Sequence, residues 1–152
     1  MKKIMKFAHY KFISIVFILV IVLSGCWPKI TITLGSDEFQ VKKLAQVSEM
    51  PLENNATRAA PAGTVFLELK LVSDEKTCFY QNIDPQGLVL VSENGDRYWP
   101  GGVQEDIDVD TIEAGHWSCN SSSLYYGPVD PSVTTYFLET PNSTRQYELK
   151  AR

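Results

Sequence analysis

The sequence predicts an all-β chain folded as a sandwich of about seven short antiparallel strands. Three observations carry this prediction. Thr64 to Val72 (TVFLELKLV) alternates, with Val65, Leu67, Leu69 and Leu71 on one side and Phe66, Glu68 and Lys70 on the other, the period of a strand with one buried and one mostly wet face. Glu93-Asn94-Gly95-Asp96 separates two short apolar runs, and Asn-Gly signals a hairpin because both central positions of a type I′ turn need positive φ. After the first 25 residues no segment sustains the 3.6-residue apolar period of a helix.

The 152 residues are one domain's length. With 44% hydrophobic and 21% charged residues, neither a wholly disordered chain nor a multi-span membrane protein fits. The first segment stands apart. Lys2, Lys3, Lys6 and Lys11 precede an apolar run, Phe12 to Leu23, in which only Ser14 is polar. A basic start before an apolar stretch too short to span a bilayer is the pattern of a secretory signal. The run ends in Leu23-Ser24-Gly25-Cys26, followed by Trp27-Pro28. This resembles a bacterial lipoprotein signal and its lipobox: small residues open the backbone to a peptidase, and the Cys26 thiol accepts a thioether-linked diacylglycerol. The resemblance implies cleavage before Cys26, a signal peptide of residues 1–25 and a lipid anchor on the periplasmic or extracellular side of a membrane. An uncleaved anchor helix and a plain secretory signal are the alternatives. Cleavage would leave 10 basic against 18 acidic residues, a net of −8, which argues against nucleic acid as a partner.

Residues 26–38 are expected to form the lipidated N-terminus and a tether, with Ile30 to Leu34 (ITITL) either the first strand or part of that tether. The domain proper is placed at 39–152. Phe39 to Val47 reads as partly extended, and residues 48–63, with two prolines, two asparagines and Gly63, as a loop. After the Thr64 to Val72 strand, Cys78-Phe79-Tyr80 is expected to begin another. Leu88 to Ser92 and Arg97 to Trp99 form the Asn-Gly hairpin, stopped by Pro100-Gly101-Gly102, and Val133 to Glu139 pairs with Arg145 to Leu149.

Cys78 and Cys119 remain once Cys26 is set aside. Outside the cytoplasm a structural bridge between them is expected, closing a loop of about 42 residues and contributing roughly 4 kcal/mol by the chain-entropy argument. Two free buried thiols are the alternative. Their spacing is far from C-x-x-C, and His116 is the one histidine after the leader, which disfavours a redox centre or a thiolate metal site.

The order TVFLELKLV, GLVLVSENGDRYWP, IEAGH, TTYFLETP and RQYELK resembles a group of uncharacterised bacterial lipoproteins carrying one immunoglobulin-like sandwich domain. The likeness covers about residues 60 to 150 and implies a fold more than a function. Ala114-Gly115 stands where that group favours Pro-Gly, and the cysteine pair is not one of its general features. Antibody-type spacing is absent, because Trp117 lies two before the second cysteine and Trp99 lies 21 after the first.

Candidate chemistry is sparse. Glu105 to Glu113 holds five carboxylates in nine residues, and in a strand Asp106, Asp108 and Asp110 would line one face. They are candidate Ca²⁺ ligands. The competing reading is a solvated edge strand charged against aggregation, and an EF-hand is excluded because Thr111 and Trp117 occupy its glycine and glutamate places. No G-x-S-x-G turn occurs, and Ser118 and Ser121 to Ser123 read as loop serines. No catalytic residue and no cofactor are expected. Trp99, Trp117, Tyr125 and Tyr126 sit in or beside Gly/Pro/Ser-rich segments, where exposed aromatics would suit an envelope protein or glycan partner; plugging the ends of the sandwich is the alternative. The expected function is a membrane-anchored, non-catalytic binding or structural module. An inhibitor or immunity lipoprotein that blocks a cationic hydrolase or toxin is the second reading, and a small envelope enzyme the third.

Overall fold

The computed structural model describes residues 29–52, 55–79, 84–112, 117–141 and 143–152. The signal segment, Cys26, Tyr80 and His116 lie outside them.

The described residues open with a hairpin of β1 (Ile30–Leu34) and β2 (Asp37–Val47), turning at Gly35, whose φ of +66° suits a residue without a Cβ. Ile32 and Leu34 are buried in the core, so the ITITL alternation belongs to the sandwich. Next come β3 (Glu49–Pro51) and β4 (Thr57–Ala59), a small hairpin inside the stretch expected to be a loop. Pro, Asn and Ala signals mask strands of only three residues there. The long alternating segment is β5 (Val65–Val72).

A single 3₁₀ turn, Pro85–Gly87, then leads into β6 (Val89–Ser92) and β7 (Arg97–Tyr98). The hairpin between them forms where Asn-Gly predicts it, with different geometry. The Gly95 amide donates to the Ser92 carbonyl at 2.9 Å, and among residues 93–96 only Gly95 has positive φ, +91°. This is a turn closed by a glycine bulge rather than type I′. Cys78 and Phe79 precede this unit without forming a strand, contrary to expectation. Phe79 is fully buried, its ring edge-on to Phe39 at 5.7 Å, so packing rather than pairing explains that apolar stretch.

Pro100-Gly101-Gly102 ends pairing with β6 but does not end the strand. The chain crosses to the other sheet and runs on as β8 (Pro100–Ile107), with Pro100 at its first position, where the missing N–H is tolerated. One helical turn, α1 (Val109–Ile112), follows, then β9 (Cys119–Val129), β10 (Thr135–Glu139) and β11 (Gln146–Lys150).

Two sheets form the sandwich, ordered β1-β2-β5-β9-β8 and β11-β10-β6-β7, and the β3-β4 hairpin stands apart. Taking β2, β5, β6, β7, β8, β9, β10 and β11 as successive strands A, B, C, C′, D, E, F and G gives A-B-E-D facing G-F-C-C′, the immunoglobulin-like order. The eleven described strands exceed the expected seven by four, because β1, β3, β4 and the C′ strand β7 are added to strands A to G.

Leu67, Leu69 and Leu71 of β5 and Leu124 and Tyr126 of β9 meet Leu90, Tyr136, Leu138 and Leu149 of the second sheet in one core. Each such fully buried side chain contributes about 1.5–3 kcal/mol relative to exposure. Tyr126 keeps its hydroxyl satisfied by donating to the Leu88 carbonyl at 3.3 Å. On the opposite face of the five-stranded sheet, Phe66 and Tyr125 are buried under Met50 of the β3-β4 hairpin. That face is therefore dry at one end, although its neighbours Glu68 and Lys70 are polar.

Candidate functional site

β8 is an edge strand: β9 pairs with one side of it, and no described strand pairs with the other. A groove of about 1400 Å³ runs along it, open to solvent. One wall is the loop joining β3 to β4, with Leu52, Asn55 and Ala56, drawn tight by the Leu52 amide donating to the Ala56 carbonyl at 2.7 Å. The other wall is the 3₁₀ turn, where Asp84 accepts from the Gln86 amide at 2.9 Å and the Gln86 side chain donates to the Pro100 carbonyl at 3.2 Å. The far end is closed by Ile107, Trp117 and the Cys78–Cys119 disulfide.

The disulfide forms as expected, with the two Cα atoms 4.9 Å apart. The Cys119 amide also donates to the Lys76 carbonyl at 2.7 Å, which fixes the start of β9. Beside the two sulfurs lies the Glu105 carboxylate, within 4.8 Å of both. Joined sulfurs are not thiolates, so this trio is no metal centre in the oxidised protein. Register explains the position of Glu105: it is opposite Ser122, on the inward side of the sheet, and the Ser122 hydroxyl donates to it at 2.7 Å.

Trp117 is presented at the groove end by a knot of short bonds. The Ser118 hydroxyl meets the Thr111 hydroxyl at 3.0 Å, the Thr111 hydroxyl donates to the Asp108 carbonyl at 2.6 Å, and the Asp108 amide donates to the Ser118 carbonyl at 2.9 Å. The indole is 55% exposed, and Leu52, on the wall formed by the β3–β4 loop, is 46% exposed. Both are large apolar side chains left open to solvent near a strand edge that no other described strand pairs.

The three aspartates do not share a strand face. β8 ends at Ile107, so Asp106 lies in the strand, Asp108 in the connection and Asp110 in α1. Asp108 is bound by Lys76 at 2.7 Å. That hydrogen bond and the Lys76 charge hold the Asp108 carboxyl below its usual range, and the same contact raises Lys76. Among the described residues these aspartates form no converging set of ligand atoms.

Two other expectations are corrected. Tyr125 and Tyr126 are not loop residues but neighbours in β9, both buried, one against the hairpin and one in the main core. Ser121, Ser122 and Ser123 lie in the same strand and are buried too. Serine content suggests a loop, and the signal that these are strand residues is long-range: Ser122 meets Glu105, and Ser123 donates to Glu68 at 2.8 Å. Trp99 is 51% exposed as expected, but it sits at the β7–β8 corner with the Arg97 guanidinium 6.0 Å from its ring centre, not among the groove residues.

On the outer face, burial works to raise the Glu68 pKa, but hydrogen bonds from Lys43 at 2.6 Å and from Ser123, with the charges of Lys43 and Lys70, bring it below the usual value. Glu68 is thus a satisfied structural carboxylate. Charge is unevenly spread along the chain. Between Lys76 and Arg145 the sequence holds ten acidic residues and a single cation, Arg97, and among the described residues lining the groove Glu105 is the charged one.

No family model, curated protein or solved structure matches the chain.

Proposed function

We propose that this chain is an envelope lipoprotein, anchored to a membrane through lipid on Cys26, whose β-sandwich is a non-catalytic binding or structural module facing the periplasm or the outside. The observation that carries the reading is the order of Lys2, Lys3, Lys6 and Lys11, the apolar run to Leu23 and the Leu23-Ser24-Gly25-Cys26 box. The Cys78–Cys119 disulfide supports it, since such bonds persist outside the reducing cytoplasm. Exposed Leu52 on the groove's wall and exposed Trp117 at its end suit binding better than bond-making chemistry. An envelope protein or a glycan is the class of partner.

The test is the intact mass of natively expressed, membrane-extracted protein, with and without reduction. Residues 26–152 carrying a diacylglyceryl adduct, gaining one pair of hydrogens on reduction, is the expected result. An unmodified full-length or soluble species would overturn the anchor and the location together.

A second reading is favoured by the ten-to-one acidic excess between Lys76 and Arg145: an inhibitor or immunity lipoprotein that blocks a cationic hydrolase or toxin. It predicts tight binding that weakens as salt rises. Binding unchanged between low and high salt would exclude it.

A further inference from the structure

We propose that the free edge of β8 is the binding site itself, and that it takes an extended, lysine- or arginine-bearing segment of a partner protein as an added antiparallel or parallel strand. The inference rests on the binding-module reading and names its surface and its ligand class. Three independent features converge on it. First, among the described residues β8 has β9 on one side only, and between Gly102 and Asp106, past the Pro100 carbonyl that Gln86 occupies, its pairing with β9 runs in regular register, so this stretch presents backbone groups in the spacing of a strand, which is what strand addition uses for affinity. Second, the edge lies at the floor of a groove whose walls, Leu52 on one side and Trp117 at the end, hold apolar side chains out toward solvent. Alternate side chains of an added strand would point at these walls, and an exposed indole is the residue type that most often anchors a protein contact. Third, the surroundings select the sign of the ligand. Asp106 lies exposed on the same strand and Asp110 lies exposed in α1, Glu105, held by Ser122, adds its charge to the groove lining, and Lys76 is paired with Asp108.

Charge also decides between occupants. A second copy of this chain would bring the same acidic edge against the first, and like charges directly across a strand pair are destabilising. A basic segment reverses that sign. The acidic strip thus has two effects: it blocks edge-to-edge association of identical chains and admits a cationic strand.

The experiment uses the full, detergent-extracted chain and an eight-residue probe of alternating lysine and valine, followed by tryptophan fluorescence. Saturable binding is expected, weakening as salt rises. It should be lost when the probe is methylated on alternate backbone amides, which leaves its charge intact but removes the donors an added strand needs. Trp117→Ala, which changes an exposed side chain, should weaken binding about tenfold or more, and Asp106→Lys with Asp110→Lys should weaken it further. Equal binding of the methylated and unmethylated probes would mean plain ionic adsorption and would overturn strand addition, as would no binding at all.

A companion measurement separates this inference from the reading beneath it. A photo-reactive phenylalanine analogue is placed at position 117 in intact cells and, separately, at Glu148 on exposed β11 of the other sheet. Partner adducts from 148 alone would sink the β8 edge while leaving a binding module. Adducts from neither site would sink both.

Discussion

The Gln46 amide donates to the Arg152 carbonyl at 2.7 Å, and the Arg152 amide donates back to the Leu44 carbonyl at 3.2 Å. These bonds make residues 151–152 a short parallel partner of β2, taking over the edge that β1 leaves after Val41. The two sheets are thereby joined along one side, while the β7–β8 crossing joins them along the other. Deleting Ala151 and Arg152 would remove these two bonds and a third, from the Ala151 amide to the Thr134 carbonyl. At about 0.5–1.5 kcal/mol each, the three together give an expected loss of about 1.5–4.5 kcal/mol, read as a lower denaturant midpoint with little change in slope.

Cys78 and Cys119 tie the segment after β5 to the start of β9 across a separation of 41 residues. Replacing both with serine should lower stability by about 2–5 kcal/mol, since the unfolded chain regains the freedom of that loop. The fold-specific sign is local as well. Phe79 follows Cys78 directly and packs on Phe39, so hydrogen exchange should rise first around Phe79 and Cys119. Unaltered exchange there, with only a global shift, would show that packing holds this segment without the bond.

Acid should destabilise the sandwich through Glu68. Its folded pKa is depressed, so the stabilisation it gives is full above the ordinary glutamate value near 4.5 and is lost as pH falls through the lower folded value. Glu139, held down by Arg97 and Gln146, acts in the same direction. Glu68→Gln should flatten the acid side of the stability curve while costing little at neutral pH, because the Lys43 pair is half open to water. A curve as steep as the unmodified protein's would assign the acid response to other carboxylates.

Much of this architecture was legible where a residue's partner was predictable from its own neighbours. The alternation of Val65, Leu67, Leu69 and Leu71 can only serve a two-faced strand, and Asn94-Gly95 marks a reversal whichever turn type closes it. The β9 strand was hidden because Ser121 to Ser123 are polar, and their burial depends on Glu105 and Glu68, one 17 and the other 55 residues away in sequence. The β3-β4 hairpin was hidden because its role is to cover Phe66 and Tyr125, a contact between distant segments. The groove was hidden for the same reason: its walls and floor come from residues near 52, 86, 104 and 117, and no local pattern brings those together. Trp117, Glu105 and the two cysteines each stood out beforehand, but as separate features with nothing local to bring them to one place.

Alkali should unfold the protein through tyrosines that the fold keeps neutral. Burial raises the Tyr136 hydroxyl most, and Tyr98, Asp130 and Glu93 add to it, pushing it up from 10.0 to about 12. Burial drives Tyr126 further in the same direction. A folded pKa above the unfolded one means that the folded state binds the extra proton, so stability is full below pH 10.0 and declines as pH rises through about 12. Tyrosinate absorbance should therefore lag behind that of a free-tyrosine mixture and then rise together with the loss of β-sheet circular dichroism. Tyr136→Phe removes the hydroxyl that donates to the Val133 carbonyl at 3.3 Å, costing about 0.5–1.5 kcal/mol at neutral pH, and should make the alkaline decline shallower. If tyrosinate formed fully before the sheet signal fell, the buried hydroxyls would be reaching water without unfolding, and the packing of Tyr136 against Tyr98 would be looser than its 6.4 Å ring separation implies.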